Sequence, residues 1–306
     1  MLSGREQPVR LSREVQAALA DGVPVVALES TITSSFGLPA PHNRECYERV
    51  DRAIRAAGAI PAVTGVLDGR LIAGVEQQEV ERILAGDWKL AERDLPIALA
   101  RGATIGVSTV SATVAIAHLA GIRTFATGGI GGVHRGAETS FDVSSDLGAM
   151  ARHPVIVVSA GAKAFLDLPK TVEYLETLGV PVVGYRCSEF PAFWSRESGI
   201  PLPHRVETPQ EIAAVAAAAT TSGWGGGILV ANPIPTDAEI PAAEIAAAIA
   251  TGLAVAGREG AVGPAATPRI LAAIAAATDS RSIPANLALA ESNATLAAQI
   301  AVALTR

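Results

Sequence analysis

Residues 105–163 read IGVSTVSATVAIAHLAGIRTFATGGIGGVHRGAETSFDVSSDLGAMARHPVIVVSAGAK. Three apolar runs, IGVS, TFATGG and PVIVVSAGAK, alternate with helical patterns. Such alternation predicts an α/β fold, a three-layer α/β/α sandwich with a mostly parallel central sheet. In open sheets of this kind, ligands collect at the carboxyl ends of the strands. Each strand end here carries polar residues. Ser108, Thr109 and Ser111 precede a helix, where hydroxyls either bind an anion or cap the helix. The second strand opens into five glycines between positions 128 and 136, which would let the backbone approach a ligand closely, and Arg135 offers a bidentate charge. Asp142 and Asp146 are four apart, a spacing that would put both on one helix face. They read either as a site for a hard divalent ion or as an N-cap and a solvated first turn. Lys163 follows the third strand, either with its head in water or held partly desolvated as a nucleophile. The combination points to a pocket for a phosphorylated sugar.

The rest of the chain fits one domain over residues 1–306, about half apolar by type (49%) and long enough for a large core. Net charge is −6, with basic residues scattered, which argues against nucleic acid as a partner. An anionic ligand must then be held by a few local cations and backbone N–H groups. Cys46 and Cys187 lack metal-ligand spacing and suggest a reducing compartment. The charged N-terminus lacks the apolar stretch of a signal peptide, and the alanine-rich runs are too interrupted for a membrane span. A soluble, cytoplasmic protein is expected.

Upstream, LSREVQAAL is helical and VPVVALES is a strand ending at Glu29, which is placed either for chemistry or to cap the next turn. RECYERVDRAIRAAG is a helix, and IPAVTGVLDGRLIAGV is a hairpin about Asp68-Gly69, a pair suited to positive φ. QQEVERILAG is helical, and DWKLAERDLP sets Lys89, Arg93 and Asp94 in a polar region. Downstream, the helix LPKTVEYLETLG leads to a strand and a long loop holding Phe190, Phe193 and Trp194, suited to a lid or subunit contact. The capped helix ETPQEIAAVAAAATTSG, the strand GGGILVANPIP and alanine-rich helices complete the chain.

Seven segments, ALESTITSSFGLPAPHN, PAVTGVLDGRLIAG, ERDLP, ATGGIGGVHRGAETSFDVSSDL, SAGAKAFLDLPKTVEYLETLGVPVVGY, EFPAFWSRESG and PANLALAESNATLAAQIA, occur in this order along nearly the whole chain. Together they closely resemble the pseudouridine-5′-phosphate glycosidase family. The resemblance implies reversible separation of pseudouridine 5′-phosphate into uracil and ribose 5-phosphate. Because the bond broken joins two carbons, the paired carboxylates of ordinary glycosidases do not suffice; an amine that opens the ribose ring and leaves an iminium supplies the missing electron sink. By resemblance, Lys163 in SAGAK is that nucleophile and Glu29 in ALEST the general acid/base. Asp142 matches the holder of a manganese ion, completed by waters. Ser144, Ser145 and Asp146 match the substrate-contacting triplet, Lys89 a substrate lysine, Val110 a backbone contact, and His134 and Asn286 polar residues at the uracil and ribose ends. A homotrimer is implied.

Two segments depart from the family pattern, RCSEFPAF after Tyr185 and GAVGPAATPRIL near Pro264. They bear on loop detail and substrate preference and remove no catalytic group. Two other readings fit parts of the pattern: a lysine-dependent lyase or aldolase acting on another sugar phosphate, and a non-catalytic sugar-phosphate binding protein.

Overall fold

A computed structural model of the chain describes residues 8–258 and 266–305; the first half of the departure near Pro264 lies outside them, and its second half opens the helix Ala266–Ala277. The strands are β1 (Val9–Leu11), β2 (Val25–Leu28), β3 (Ile60–Leu67), β4 (Arg70–Ala73), β5 (Lys89–Leu90), β6 (Ile105–Ser108), β7 (Thr124–Ala126), β8 (Ile156–Ser159), β9 (Val182–Tyr185), β10 (Arg205–Val206) and β11 (Ile228–Ala231). The helices are α1 (Arg13–Ala20), α2 (His42–Ala56), α3 (Val80–Leu84), α4 (Leu95–Ala100), α5 (Val110–Leu119), α6 (Ala137–Ser140), α7 (Ser145–Arg152), α8 (Leu168–Thr177), α9 (Pro209–Thr221), α10 (Ala242–Arg258), α11 (Ala266–Ala277) and α12 (Ser282–Ala303).

All the strands join one sheet, in the order β1-β4-β3-β2-β7-β8-β11-β9-β10, with β6 pairing β3 and β5 pairing β6. Only β3 runs antiparallel to its neighbours β4 and β6. The mostly parallel α/β/α sandwich is therefore as expected. Every residue of β2, β8 and β11 is buried, which requires cover on both faces of the sheet and explains their unbroken apolar runs. α12 packs on β2, β7 and β8 beside α2 and α9, and α5 lies against β2, β3, β4, β6 and β7 with α7 beside it. The hairpin turn has positive φ at both Asp68 (49°) and Gly69 (72°), as a tight turn of the favoured hand demands.

Three local departures have simple causes. β1 has three residues, too few for a readable pattern, and is recruited by parallel pairing to β4. Lys89 opens a two-residue strand paired with β6 rather than a polar loop. The loop after β9 carries its aromatics inward: Phe190, Phe193 and Trp194 are all buried, so they form part of the chain's own core.

Candidate active site

Because β2, β7, β8 and β11 are parallel and adjacent, their carboxyl ends lie on one edge of the sheet. The register pairs Leu28 with Ala126, Ala126 with Val158 and Ser159 with Ala231. The next residues along this edge are Glu29, Thr127 and Asn232, while the chain leaving β8 turns at Gly161 (φ 76°) to deliver Lys163. A cavity of about 430 Å³ opens above this edge. The ten residues to which the resemblance gives a site role all line it: Glu29, Lys89, Val110, His134, Asp142, Ser144, Ser145, Asp146, Lys163 and Asn286. They converge on it from across the sequence, between position 29 and position 286.

Glu29 is buried, and one carboxylate oxygen, Oε1, accepts a hydrogen bond from the Thr127 hydroxyl. Its partner is thus a side chain on the next strand, not the backbone of its own turn. Burial pushes its carboxyl above the ordinary range, against the opposing pull of Lys163, of the Thr127 hydrogen bond and of Lys89. Lys89 is lowered to about 8, first by burial and then by the like charge of Lys163. Neither lysine ammonium makes a hydrogen bond or a close ion pair among the described residues. Two cations and one reluctant carboxylate therefore face the same space, an arrangement suited to an anion and to proton transfer.

Ser144 caps α7, its Oγ accepting from the Asp146 N–H at 3.2 Å. Asp142 precedes this cap, so the two aspartates do not share a helix face as their spacing suggested. Their environments differ accordingly. Asp146 is buried, with Oδ1 accepting from the Ser111 N–H at 2.9 Å and Oδ2 from the Gly131 N–H at 2.8 Å. It clamps the start of α5 to the glycine loop. Asp142 is half-buried, with Oδ2 3.7 Å from His134 Nδ1, and the His134 N–H donates to the Asp142 carbonyl at 3.0 Å. Burial lowers the His134 imidazole, with Lys163 adding to the effect and Asp142 opposing it.

No group of three or more His, Cys, Asp or Glu side chains is placed for a metal among the described residues. Asp142 borders the cavity beside the Ser144 and Ser145 hydroxyls. That donor set fits a hard ion held by one carboxylate and completed by water and substrate oxygens, and does not fit an all-protein cage.

The glycine loop works differently from the simple expectation. A Cβ on Gly129 would meet the Phe193 ring at 2.6 Å, one on Gly131 the Ser144 Oγ at 2.3 Å, and one on Gly132 the Thr171 Oγ1 at 2.4 Å. The protein's own side chains occupy the space these glycines leave. Arg135 does not line the cavity; its Nε donates to the Phe165 carbonyl at 3.2 Å. Ser108 and Ser111 are also withdrawn from it: Ser108 is tied to Ser30, Thr64 and Thr113, and Ser111 to Ser145. At the junction of β6 and α5, only Thr109 and Val110 line the cavity.

Sequence reasoning gave no site role to several lining residues. Arg93 stands exposed at the rim. Ile32, Phe36, Leu38, Trp88 and Leu271 supply apolar wall. The long loop after β9 contributes Phe193 to that wall. Trp194 donates its indole N–H to Asn286 Oδ1 at 2.8 Å. An indole can only donate, so this bond fixes the amide's orientation and leaves the Asn286 NH₂ group for the cavity. Thr127 carried a usable signal, a hydroxyl one residue past a strand end.

Residues 14–303 match the family of indigoidine synthase A like proteins. The chain is 54% identical over 299 residues to a pseudouridine-5′-phosphate glycosidase of Methylobacterium nodulans, covering 95% of this chain and 86% of that one. It is 50% identical to the protein of the same name from Paracoccus denitrificans, covering 97% and 98%. Among solved structures, a prealnumycin C-glycosynthase in complex with ribulose 5-phosphate superposes with a TM-score of 0.90 at 38% identity, covering 98% of both chains. An indigoidine synthase A-like protein of Thermotoga maritima gives 0.87 at 35% identity over 100% of each.

Proposed function

Since the chain belongs to the indigoidine synthase A like family, that of the pseudouridine-5′-phosphate glycosidases, we propose that it cleaves the carbon–carbon glycosidic bond of pseudouridine 5′-phosphate reversibly, through an imine between Lys163 and ribose. The observation that carries this reading is the meeting of Lys163, Lys89 and Glu29 in one cavity, an amine nucleophile beside a carboxyl whose burial favours its protonated form.

The Lys163 amine attacks C1′ and displaces the ring oxygen, which takes a proton. C5 of the uracil ring then takes a proton, and the C1′–C5 bond breaks as the nitrogen lone pair forms the C1′ iminium. Water adds to the iminium, ribose 5-phosphate leaves, and Lys163 is restored. Glu29, with one oxygen held by Thr127, is the group that carries protons to and from these atoms. Lys89 and the Ser144 and Ser145 hydroxyls bind sugar phosphate oxygens. Asp146 keeps the loops that carry them in register through its two backbone bonds, and Val110 borders the sugar through its backbone. His134 and Asn286 present polar groups to the uracil and ribose ends. Asp142 would hold a manganese ion, whose charge would neutralise phosphate and order water. A homotrimer and a cytoplasmic location accompany the reading, and sedimentation velocity measures the first.

Uracil release from pseudouridine 5′-phosphate, followed by its ultraviolet difference signal, should be fast and manganese-dependent, and Asp142→Ala should lose the manganese activation. Borohydride added with ribose 5-phosphate should trap a covalent adduct on Lys163. A protein that releases no uracil with manganese present, or that is trapped at another residue, would refute the proposal.

A further inference from the structure

Asn293 is wholly buried on α12, two helical turns beyond the cavity residue Asn286. Its Nδ2 donates to the Thr127 carbonyl at 2.8 Å and to the Gly128 carbonyl at 3.3 Å, and its Oδ1 accepts from Asn232 Nδ2 at 2.8 Å. Asn232 also donates to Ser292 Oγ at 3.1 Å, and its backbone N–H donates to the Ser159 carbonyl at 2.9 Å. The Thr127 N–H donates to the Val158 carbonyl at 3.0 Å. A buried amide pair is costly to desolvate and gains its place only when every bond is made. Here the bonds run from the end of β11 to the end of β7, and from there through the Thr127 hydroxyl to Glu29 on β2.

We propose that Asn293 is a positioning residue for the proton carrier: it fixes the Thr127–Gly128 peptide, so that the Thr127 hydroxyl holds one oxygen of Glu29 and leaves the other for the substrate. The proposal rests on Glu29 serving as the acid/base. A flexible carboxylate side chain without this anchor would sample several rotamers, and proton transfer falls steeply once the donor is misplaced. The groups that also act electrostatically on Glu29 are Lys163 after β8, Lys89 on β5 and Asp146 on α7, and Cys46 on α2 lies within its field. All four remain in the variants below.

The test is the pH dependence of kcat/KM for uracil release in the full-length protein. A hydrogen bond to a carboxylate stabilises its ionised form, so losing it moves the limb set by Glu29 to higher pH. Thr127→Val should shift that limb upward by about one pH unit. Asn293→Ala should shift it in the same direction and lower kcat more than it changes KM. The double variant should go no further than Thr127→Val alone, since both act through one bond. If Asn293→Ala only melts earlier and keeps the wild-type profile, or if the two effects add, the proposal is wrong. Should Asn293→Ala fail to fold, Asn232→Ala takes its place with a smaller shift of the same sign, and an unmoved profile there overturns the proposal equally. Glu29→Gln separates the two levels. Full activity in Glu29→Gln removes the acid/base reading itself, whereas an inactive Glu29→Gln beside an unmoved Asn293→Ala profile removes only the positioning role.

Discussion

Glu29 and Ser30 are chain neighbours at the end of β2, yet they belong to opposite kinds of buried polar environment. Ser30 joins Thr64, Ser108 and Thr113 in a neutral knot behind the cavity. Ser30 Oγ donates to the Thr64 carbonyl at 2.7 Å, Thr64 Oγ1 lies 2.8 Å from Ser108 Oγ and 3.0 Å from Thr113 Oγ1, and the Ser108 N–H donates to Ser30 Oγ at 2.8 Å. The knot ties β2, β3, β6 and α5 together with every group paired. Glu29 faces the cavity with Lys89 and Lys163, where the amines have no close partner among the described residues. A satisfied polar cluster specifies structure; one left incomplete against a cavity is poised for chemistry. The difference predicts which substitutions hurt turnover and which hurt the fold.

The largest contrast should come from Lys163→Ala. If Lys163 is the nucleophile, uracil release falls by on the order of 10⁴-fold or more, while the melting temperature holds or rises because a like charge near Lys89 is gone. Steady-state assay with calorimetry on the same preparation reads both. A large loss of stability would place Lys163 with the structural cluster instead.

The strands and helices of this sheet were legible because their apolar runs are long and their punctuation is regular. The site was legible only in part. Glu29 and Lys163 sit at strand ends, where topology alone makes a charged residue suspect. Ser108 and Ser111 occupy equivalent positions and turned inward, because whether a hydroxyl faces a cavity or a neighbouring strand depends on side-chain partners distant in sequence. Arg135 failed for a similar reason: its loop runs toward the Phe165 carbonyl. The spacing of Asp142 and Asp146 was misleading because the helix begins after Ser144, and a four-residue period means nothing before the cap. The glycines suggested an open approach to ligand, and the reason they are needed, the ring of Phe193 and the hydroxyls of Ser144 and Thr171, lies as many as 64 residues further along the chain.

On the structural side, Thr64→Val keeps the shape and deletes the hydroxyl that bonds the Leu28 carbonyl, Ser108 and Thr113. Those partners stay buried with fewer bonds, which costs about 1–3 kcal/mol, or roughly 2–10 °C in melting temperature. Well below the transition, kcat/KM should change by less than about threefold, equivalent to under 1 kcal/mol. A tenfold or greater loss of turnover with normal stability would merge the two regions into one functional unit.

Lys89→Met gives the smallest effect and the sharpest test, since it removes a charge from the cavity while keeping the apolar stem. Lys89 titrates near 8 in the folded protein against an ordinary value of 10.5. Below pH 8 it is charged in both the folded and unfolded chains, and the folded state carries the full cost of holding it desolvated beside Lys163. Between pH 8 and 10.5 the unfolded chain keeps a proton the folded one has released, so wild-type stability climbs with pH. Lys89→Met should therefore melt roughly 2–4 °C above wild type at pH 7, with the gain shrinking above pH 8 and gone near pH 10.5. If Lys89 binds the sugar phosphate, KM for pseudouridine 5′-phosphate should rise as well. Melting curves across pH 6 to 11 decide the matter. A gain that persists unchanged to pH 10.5, or a loss at pH 7, would mean that Lys89 is a paired structural cation like those on the surface, and the cavity would then hold one reactive amine rather than two.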